Sequence, residues 1–354
     1  MNEFVIGYYA ALIFASCLAA YYKYNNAFML LFSLTLVSFV VGIIGGTGAL
    51  QAITIFAGLL ALAAGISYAF REFLVQISKP GLAKELRTAP LTASFGMFVI
   101  FTYAIAGIFA PWIAPHGEAE VISGAFAPAD ETMLLGADQL GRDIFSRLVY
   151  GARNSVGLAL VATLGAFTIG AFAGLFAAVR GGWFDQFMGR AADIIMSVPS
   201  LVFALLMLSI FGTNLVVIVV VVAVIYSPRV FRLTRAVAGN IVVMDYIEAA
   251  KLRGEKDWYL IRREILPNCT APLIAEFGLE FCFVFLLIAG LSFLGLGIQP
   301  PTADWGSMVR ENATLISFGD ITPLIPAAAI ALLTVAINFV VDWMLFRSSG
   351  LKER

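Results

Sequence analysis

Apolar segments long enough to cross a lipid bilayer recur along the chain, and they restrict its fold more than any other feature. A helix needs about 20 apolar residues to cross the hydrocarbon core. The sequence predicts nine such segments, at 4–22, 27–46, 49–70, 91–114, 154–179, 186–211, 213–235, 271–297 and 322–346. Because backbone groups in lipid must bond to one another, each segment is expected to be a helix. The predicted fold class is all-α, a polytopic bundle of membrane-spanning helices.

Composition agrees with a membrane protein. Hydrophobic residues make up 61% of the 354 positions and charged residues only 13%, whereas soluble domains carry about 25% charged residues. A water-soluble domain could not cover that much apolar surface with polar groups. The net charge is −1 and no long basic run occurs, so no nucleic-acid partner is expected. Three scattered cysteines and one histidine predict neither a disulfide framework nor a metal site.

The distribution of basic residues predicts the orientation, because lysine and arginine concentrate in cytoplasmic loops. Nine spans put the two termini on opposite sides of the membrane. With the C-terminus inside, 18 of the 22 basic residues lie inside and four lie outside. The N-terminus is therefore predicted outside and the 236–270 loop inside. Two substantial loops, 115–153 and 298–321, are predicted outside.

A polar linker at 71–90, which contains Pro80 and Gly81, divides the chain. Residues 1–90 are predicted to hold three accessory spans and this linker. Residues 91–354 are predicted to form a core of six spans.

The inside loop has the strongest local pattern. Residues 246–253 favour a short helix because Glu248, Ala249 and Ala250 are good helix formers. Gly254 suits the left-handed residue that ends a helix. Asp257 is predicted to cap a second helix and Pro267 to end it. The small side chains of Ala249 and Ala250 would allow another protein to approach closely.

This loop resembles the EAA loop of ABC importer permeases. The match consists of Glu248-Ala249-Ala250, then Gly254 after three residues, then Ile265-Leu266-Pro267-Asn268. In that family the first short helix inserts into a cleft on an ATPase subunit. The resemblance therefore implies that ATPase coupling is carried by Glu248, Ala249, Ala250, Gly254, Ile265, Leu266, Pro267 and Asn268.

Further segments narrow the resemblance to the dipeptide, oligopeptide and nickel branch of these permeases, over about residues 90–354. They are LGADQLGRD at 135–143, Asp193 with SVP at 197–199, LSFLGLGIQPP at 291–301 and DWG at 304–306. The chain departs from the family at Glu264, where histidine is usual, and at Ile288, where glutamate is common. The three spans within 4–70 have no counterpart in the six-span type I importer core.

The resemblance implies a permease subunit of a bacterial inner-membrane importer, with its N-terminus periplasmic and its C-terminus cytoplasmic. It implies peptide as substrate, with nickel or an opine-like compound as alternatives. The chain itself is not expected to be an enzyme or to hold a cofactor, because ATP and Mg would be bound by two separate ATPase subunits. The remaining implied partners are a second, homologous permease and a periplasmic substrate-binding protein. Periplasmic contacts with the binding protein would involve Asp138, Arg142, Asp143, Asp304 and Trp305.

Two other classes of function make different predictions. A self-contained secondary transporter would have an inverted repeat and ion-coupling carboxylates at mid-membrane. A membrane-embedded enzyme would cluster its polar residues at one depth. Neither pattern is evident in the sequence.

Several polar residues within the predicted spans are candidates for the pathway, since charged groups in a span usually face a cavity or a partner. Glu276 and Glu280 are four residues apart, and so are Asn338 and Asp342. Either pair could line the pathway or contact a partner helix. Arg190 and Asp193 are spaced for a local ion pair. The small residues of 160–176 are expected to permit close helix packing.

Overall fold

The computed structural model of the chain describes residues 62–348 without a gap. Before them it describes only short pieces, namely 8–9, 11–12, 14–15, 30–31, 34, 37–38 and 59–60. Most of the predicted spans 4–22 and 27–46, and half of 49–70, therefore lie outside the described residues. The chain divides into two compact units, Met1–Arg87 and Thr88–Arg354. In the first unit, residues 62–77 are helical and helix α1 follows at Pro80–Arg87.

The second unit is built from helices. They are α2 (Leu91–Ile108), α3 (Ala110–Ile113), α4 (Ile144–Arg180), α5 (Gly182–Met196), α6 (Ser200–Phe211), α7 (Leu215–Val242), α8 (Asp245–Leu252), α9 (Asp257–Phe293), α10 (Trp305–Asn312) and α11 (Leu324–Ser348). Helix α9 contains a π-helical turn at Leu260–Ile265, and a 3₁₀ turn at Ala313–Phe318 follows α10. Between residues 62 and 348 no strand forms, and only two isolated β-bridges occur.

Five helices, namely α2, α4, α7, α9 and α11, are long and apolar enough to cross a membrane, and α5 with α6 forms a sixth, bent candidate. The polytopic helical fold class is thus confirmed over the described residues. The span predicted at 186–211 is not one continuous helix, because α5 and α6 meet at 86°. Pro199 explains the break, since the residue before a proline is pushed out of the helical conformation.

Two helices begin well before the predicted spans. Helix α4 begins at Ile144, where the side chain of Asp143 accepts hydrogen bonds from the N–H groups of Phe145 and Ser146. Helix α9 begins at Asp257 rather than near 271. Hydropathy detects only the apolar part of such helices, whereas the helix itself can continue beyond that part.

Glycines on α4 let its backbone lie directly against that of α7. A Cβ atom added at Gly170 would lie 2.4 Å from the carbonyl oxygen of Ser227, and one at Gly174 would lie 2.8 Å from that of Phe231. Ala166 is fully buried nearby. The predicted role of small residues in this stretch is confirmed, and close backbone approach of this kind is a common basis of helix association in membranes.

Helix α7 is continuous although it contains a proline at its centre. Pro228 cannot bond to the carbonyl oxygen of Val224, which is four residues earlier. The hydroxyl of Ser227 donates to that oxygen instead, at 3.1 Å. A nearby hydroxyl is one of the ways in which a membrane helix satisfies a carbonyl freed by proline.

Replacing Gly170 by alanine tests the packing of α4 on α7. The added methyl group would meet backbone atoms that cannot rotate away, so Gly170→Ala should destabilise the protein by about 1–3 kcal/mol. Gly157 lies on the same helix and faces open space, so Gly157→Ala should be neutral or stabilising by about 0.4–1 kcal/mol. Thermal unfolding in detergent measures both variants. Equal unfolding temperatures for the two would contradict the packing described here.

Candidate functional site

Helix α8 has one buried face and one exposed face. Ile247 and Ala250 are fully buried, while Glu248 and Ala249 are exposed. The buried pair packs in a cluster with Leu175 of α4 and Ala238 of α7. The π-helical turn of α9 adds Leu260, Ile261 and Ile265 to that cluster. The exposed face is therefore presented on a helix that is fixed to the ends of two long spans.

Gly254 ends α8 as the sequence predicts. Its φ angle is +82°, in the left-handed region that favours glycine. Its N–H donates to the carbonyl of Lys251 at 2.9 Å, and the N–H of Glu255 donates to that of Ala250 at 3.2 Å. This pair of bonds is the Schellman arrangement, which satisfies the last carbonyls of a helix.

The second half of the loop differs from its prediction at two residues. Asp257 does not cap α9, because Lys256 occupies the cap position, and the Asp257 carboxylate instead accepts from Nε of Arg180 at 2.9 Å. Pro267 does not end the helix, which continues to Phe293. The π-helical turn ends at Ile265 and regular helix resumes at Leu266. Pro267 therefore lies inside α9, directly after the π-helical turn.

The eight residues assigned to coupling do not all reach the surface. Ala250 and Ile265 are buried and hold the loop in place. The other six are exposed: Glu248, Ala249, Gly254, Leu266, Pro267 and Asn268. The side-chain amide of Asn268 donates to the carbonyl of Glu264 at 2.6 Å and lies 3.5 Å from the Tyr246 hydroxyl of α8.

The other end of α4 carries a buried network of charged side chains. Nε of Arg142 donates to Asp138 at 2.7 Å, and its Nη2 donates to Glu311 at 2.9 Å. Arg147 lies 3.4 Å from the carboxylates of both Asp138 and Glu311. None of the four side chains is more than 7% exposed. Two arginines and two carboxylates thus neutralise one another between α4 and α10.

Helix α10 is fixed to α4 by a second set of buried contacts. The Asp304 carboxylate accepts from the Ser155 hydroxyl at 2.8 Å and from the N–H of Ser307 at 2.9 Å. Burial raises the pKa of Asp304, and these hydrogen bonds oppose that rise. The indole N–H of Trp305 donates to the carbonyl of Leu148 at 2.9 Å. Its ring leaves no space for a side chain at Gly151, where a Cβ atom would lie 2.4 Å away.

These contacts correct the prediction that Asp138, Arg142, Asp143, Asp304 and Trp305 touch a binding protein. All five are at most 2% exposed, so their side chains are not available to a partner in this structure. Their positions explain the sequence pattern instead, since they cap α4 and join it to α10. The exposed residues of the same segment include the apolar Val121, Leu134 and Leu140 and the acidic Asp130 and Glu131.

Several residues of the outer network were not identified from the sequence. Glu311 pairs with both arginines, and Glu118 accepts from the side-chain amide of Asn154 and from the N–H of Ala303. Ser155 connects α4 to Asp304. The two arginines, Arg142 and Arg147, beside an apolar stretch were the available signal, because a buried arginine needs an acidic partner.

The four candidate pathway residues do not form one group. Glu276 and Glu280 lie on one face of α9, and Glu280 is 2% exposed. Gly278, on the opposite face, packs against Val341 of α11. Asn338 donates to the carbonyl of Thr334 within α11, and Asp342 is exposed. The glutamates therefore face away from the helix that carries the other two.

The basic residues in the second half of α7 have specific partners. Arg232 pairs with Asp193, and Arg235 pairs with Asp185, so α7 is joined to α5. The predicted local pair between Arg190 and Asp193 is therefore wrong. Arg229 precedes these two arginines on α7. Its guanidinium lies over the rings of Tyr226 and Phe283, at 5.5 Å and 5.0 Å from their centroids.

The sequence of this helical membrane protein is similar to the sequences of known importer subunits. Residues 166–348 match the family described as binding-protein-dependent transport system inner membrane component. The dipeptide transport system permease protein DppC of Alkalihalophilus pseudofirmus is 34% identical over 73% of this chain and 85% of its own length. The di/tripeptide permease DppC of Pseudomonas aeruginosa is 34% identical, over 70% and 84%. The probable D,D-dipeptide permease DdpC of Escherichia coli is 33% identical, over 73% and 86%.

The chain belongs to the binding-protein-dependent transport system inner membrane component family. It is thus a permease component of an ABC importer, as its loop pattern predicts. One departure from the family also has a local explanation. Ile288, where the family commonly has glutamate, is 1% exposed in the same apolar cluster as Phe285 and Trp305.

Neutralising Glu311 tests the outer network. Glu311→Gln leaves Arg142 and Arg147 buried with one carboxylate between them, and breaking a buried ion pair in this way costs about 3–5 kcal/mol. Glu131→Gln makes the same change at an exposed position and should stay within about 0.5 kcal/mol of wild type. Thermal unfolding in detergent measures both. A Glu311→Gln protein as stable as the Glu131→Gln protein would contradict the network's structural role.

Proposed function

We propose that this chain forms one half of the membrane pathway of an ATP-driven importer of short peptides. The relatives named above are dipeptide and di/tripeptide permeases that align over most of their length, and this supports peptide as the substrate class. In this proposal ATP and Mg bind to two separate ATPase subunits, and the chain itself is not an enzyme. A second, homologous permease completes the pathway.

The observation that carries the proposal is the geometry of α8. Its exposed residues include Glu248 and Ala249, and its other face is buried against α4, α7 and α9. An ATPase subunit that moved α8 would act on the ends of three long helices at once. The small side chain of Ala249 on the exposed face permits close approach, and the Schellman bonds at Gly254 keep the helix end in one conformation.

The proposed orientation places α8 and the C-terminus in the cytoplasm of a bacterial inner membrane and the N-terminus in the periplasm. The excess of basic residues on the α8 side supports it. A periplasmic substrate-binding protein would then meet the outer segments. Its contacts would come from the exposed residues there, which include the apolar Val121, Leu134 and Leu140 and the acidic Asp130 and Glu131. Residues 1–90 would be accessory to the 91–354 permease core.

Substitutions at two adjacent alanines of α8 test docking and folding separately. Ala249 is exposed and Ala250 is fully buried. Ala249→Arg should leave the unfolding temperature unchanged but lower peptide-stimulated ATP hydrolysis at least tenfold in the importer reconstituted into proteoliposomes. Ala250→Arg should lower both, because it forces a charge into the apolar cluster. Ala249→Ser keeps a small side chain and should behave as wild type.

Two results would overturn parts of this proposal. Full ATPase stimulation in the Ala249→Arg importer would remove α8 as the docking element. ATP-independent accumulation of peptide by the purified chain alone would favour a secondary transporter.

A further inference from the structure

Helices α7 and α9 bring together opposite charges that the coupling loop and the outer network do not use. Arg229 follows Ile218, Val222 and Ile225 at helical spacing, so it lies on the face of α7 that packs inside the bundle. Those three residues are buried, yet Arg229 is exposed. An exposed residue on an inward face indicates an opening at this level between the helices.

The opposite wall of this opening is formed by α9. Glu276, Glu280 and Phe283 share one face of α9, since they are four and three residues apart. The Tyr226 hydroxyl on α7 donates to the carbonyl of Phe283 at 3.1 Å, and Arg229 lies 5.0 Å from the Phe283 ring centroid. Glu280 lies within electrostatic range of both Arg229 and Glu276. The charged groups therefore lie at one level of the cleft.

Neither Arg229 nor Glu280 has its bonding capacity satisfied by the protein. Over the part of the chain that the structure describes, no carboxylate lies within 4 Å of Arg229. The guanidinium is held by two aromatic rings, which orient it and leave its N–H groups free. Glu280 is 2% exposed, and its Oε2 atom has no hydrogen-bond partner. Unpaired ionisable groups within a membrane span are costly and indicate a functional site.

We propose that this cleft binds a zwitterionic ligand, the substrate peptide, by its two free termini. Arg229 would bind the carboxylate, since a guanidinium offers paired donors to a carboxylate. Glu280 and Glu276 would bind the ammonium group, and Tyr226 and Phe283 would form the wall between them. The inference rests on the proposed function and names the residues on this chain that hold the substrate during its passage.

The test uses the complete importer in proteoliposomes, with a radiolabelled dipeptide that has free termini. The measured quantity is peptide taken up per ATP hydrolysed. It should fall at least tenfold in Arg229→Gln and in Glu280→Gln, because each removes one half of the recognition. Arg229→Lys, which keeps the charge, should retain more uptake per ATP than Arg229→Gln. Arg232→Gln is the matched control on the same helix, because Arg232 pairs with Asp193 of α5, and it should keep the wild-type ratio.

The outcomes separate this site from the proposed function. A ratio within twofold of wild type in both Arg229→Gln and Glu280→Gln would overturn the site and leave the importer function standing. An equal loss in Arg232→Gln would also overturn it, because any lost charge on α7 would then have the same effect. If the unfolding temperature of Arg229→Gln falls, the other two variants are used instead. Lower uptake per ATP in Glu280→Gln than in Arg229→Lys would then support the site, and a wild-type ratio in Glu280→Gln would overturn it. A wild-type importer that accumulates no peptide with ATP would overturn the proposed function, and the site with it.

Discussion

Direct contact between the backbones of α4 and α7 is the feature on which the rest of this structure depends. Gly170 and Gly174 allow it, and as a result the two helices end side by side. Leu175 of α4 and Ala238 of α7 then form the apolar surface on which α8 rests. Helix α9 begins in the same loop and carries Glu276 and Glu280 further along. The walls of the α7–α9 cleft are therefore continuous with the segment proposed to meet the ATPase.

Helix α4 is held at its other end by different forces. There the attachment to α10 is polar, through the ion pairs of Arg142 and Arg147 and the hydrogen bonds of Asp304 and Trp305. Burying four charges is favourable only when each is paired and hydrogen-bonded, which restricts the outer segment to one arrangement. A helix anchored at both ends can carry a displacement at the loop as a movement of the whole span.

The sequence was most informative where local rules decide the structure. The α8 helix, its glycine end and the small-residue packing of α4 follow from propensity and spacing. Asp138 and Arg142 were expected to contact a binding protein because the family resemblance implied it, and only the tertiary arrangement buries them against Glu311, 169 positions from Arg142. Asp193 pairs with Arg232 rather than with Arg190 for the same reason, since its partner lies on another helix. Pro267 was expected to end a helix, but the preceding π-helical turn removes that conflict.

Site-specific crosslinking in the assembled, ATP-hydrolysing importer tests the docking role of α8 most directly. Cys269 and Cys282 are buried, so with Cys17 replaced by serine a single introduced cysteine can be followed. Ala249→Cys on the exposed face of α8 should crosslink to an ATPase subunit, and the yield should change between the ATP-free and ATP-trapped states. Leu134→Cys, exposed on the outer segment, should give no such crosslink. Absence of a crosslink from position 249, or equal yields from both positions, would contradict the account.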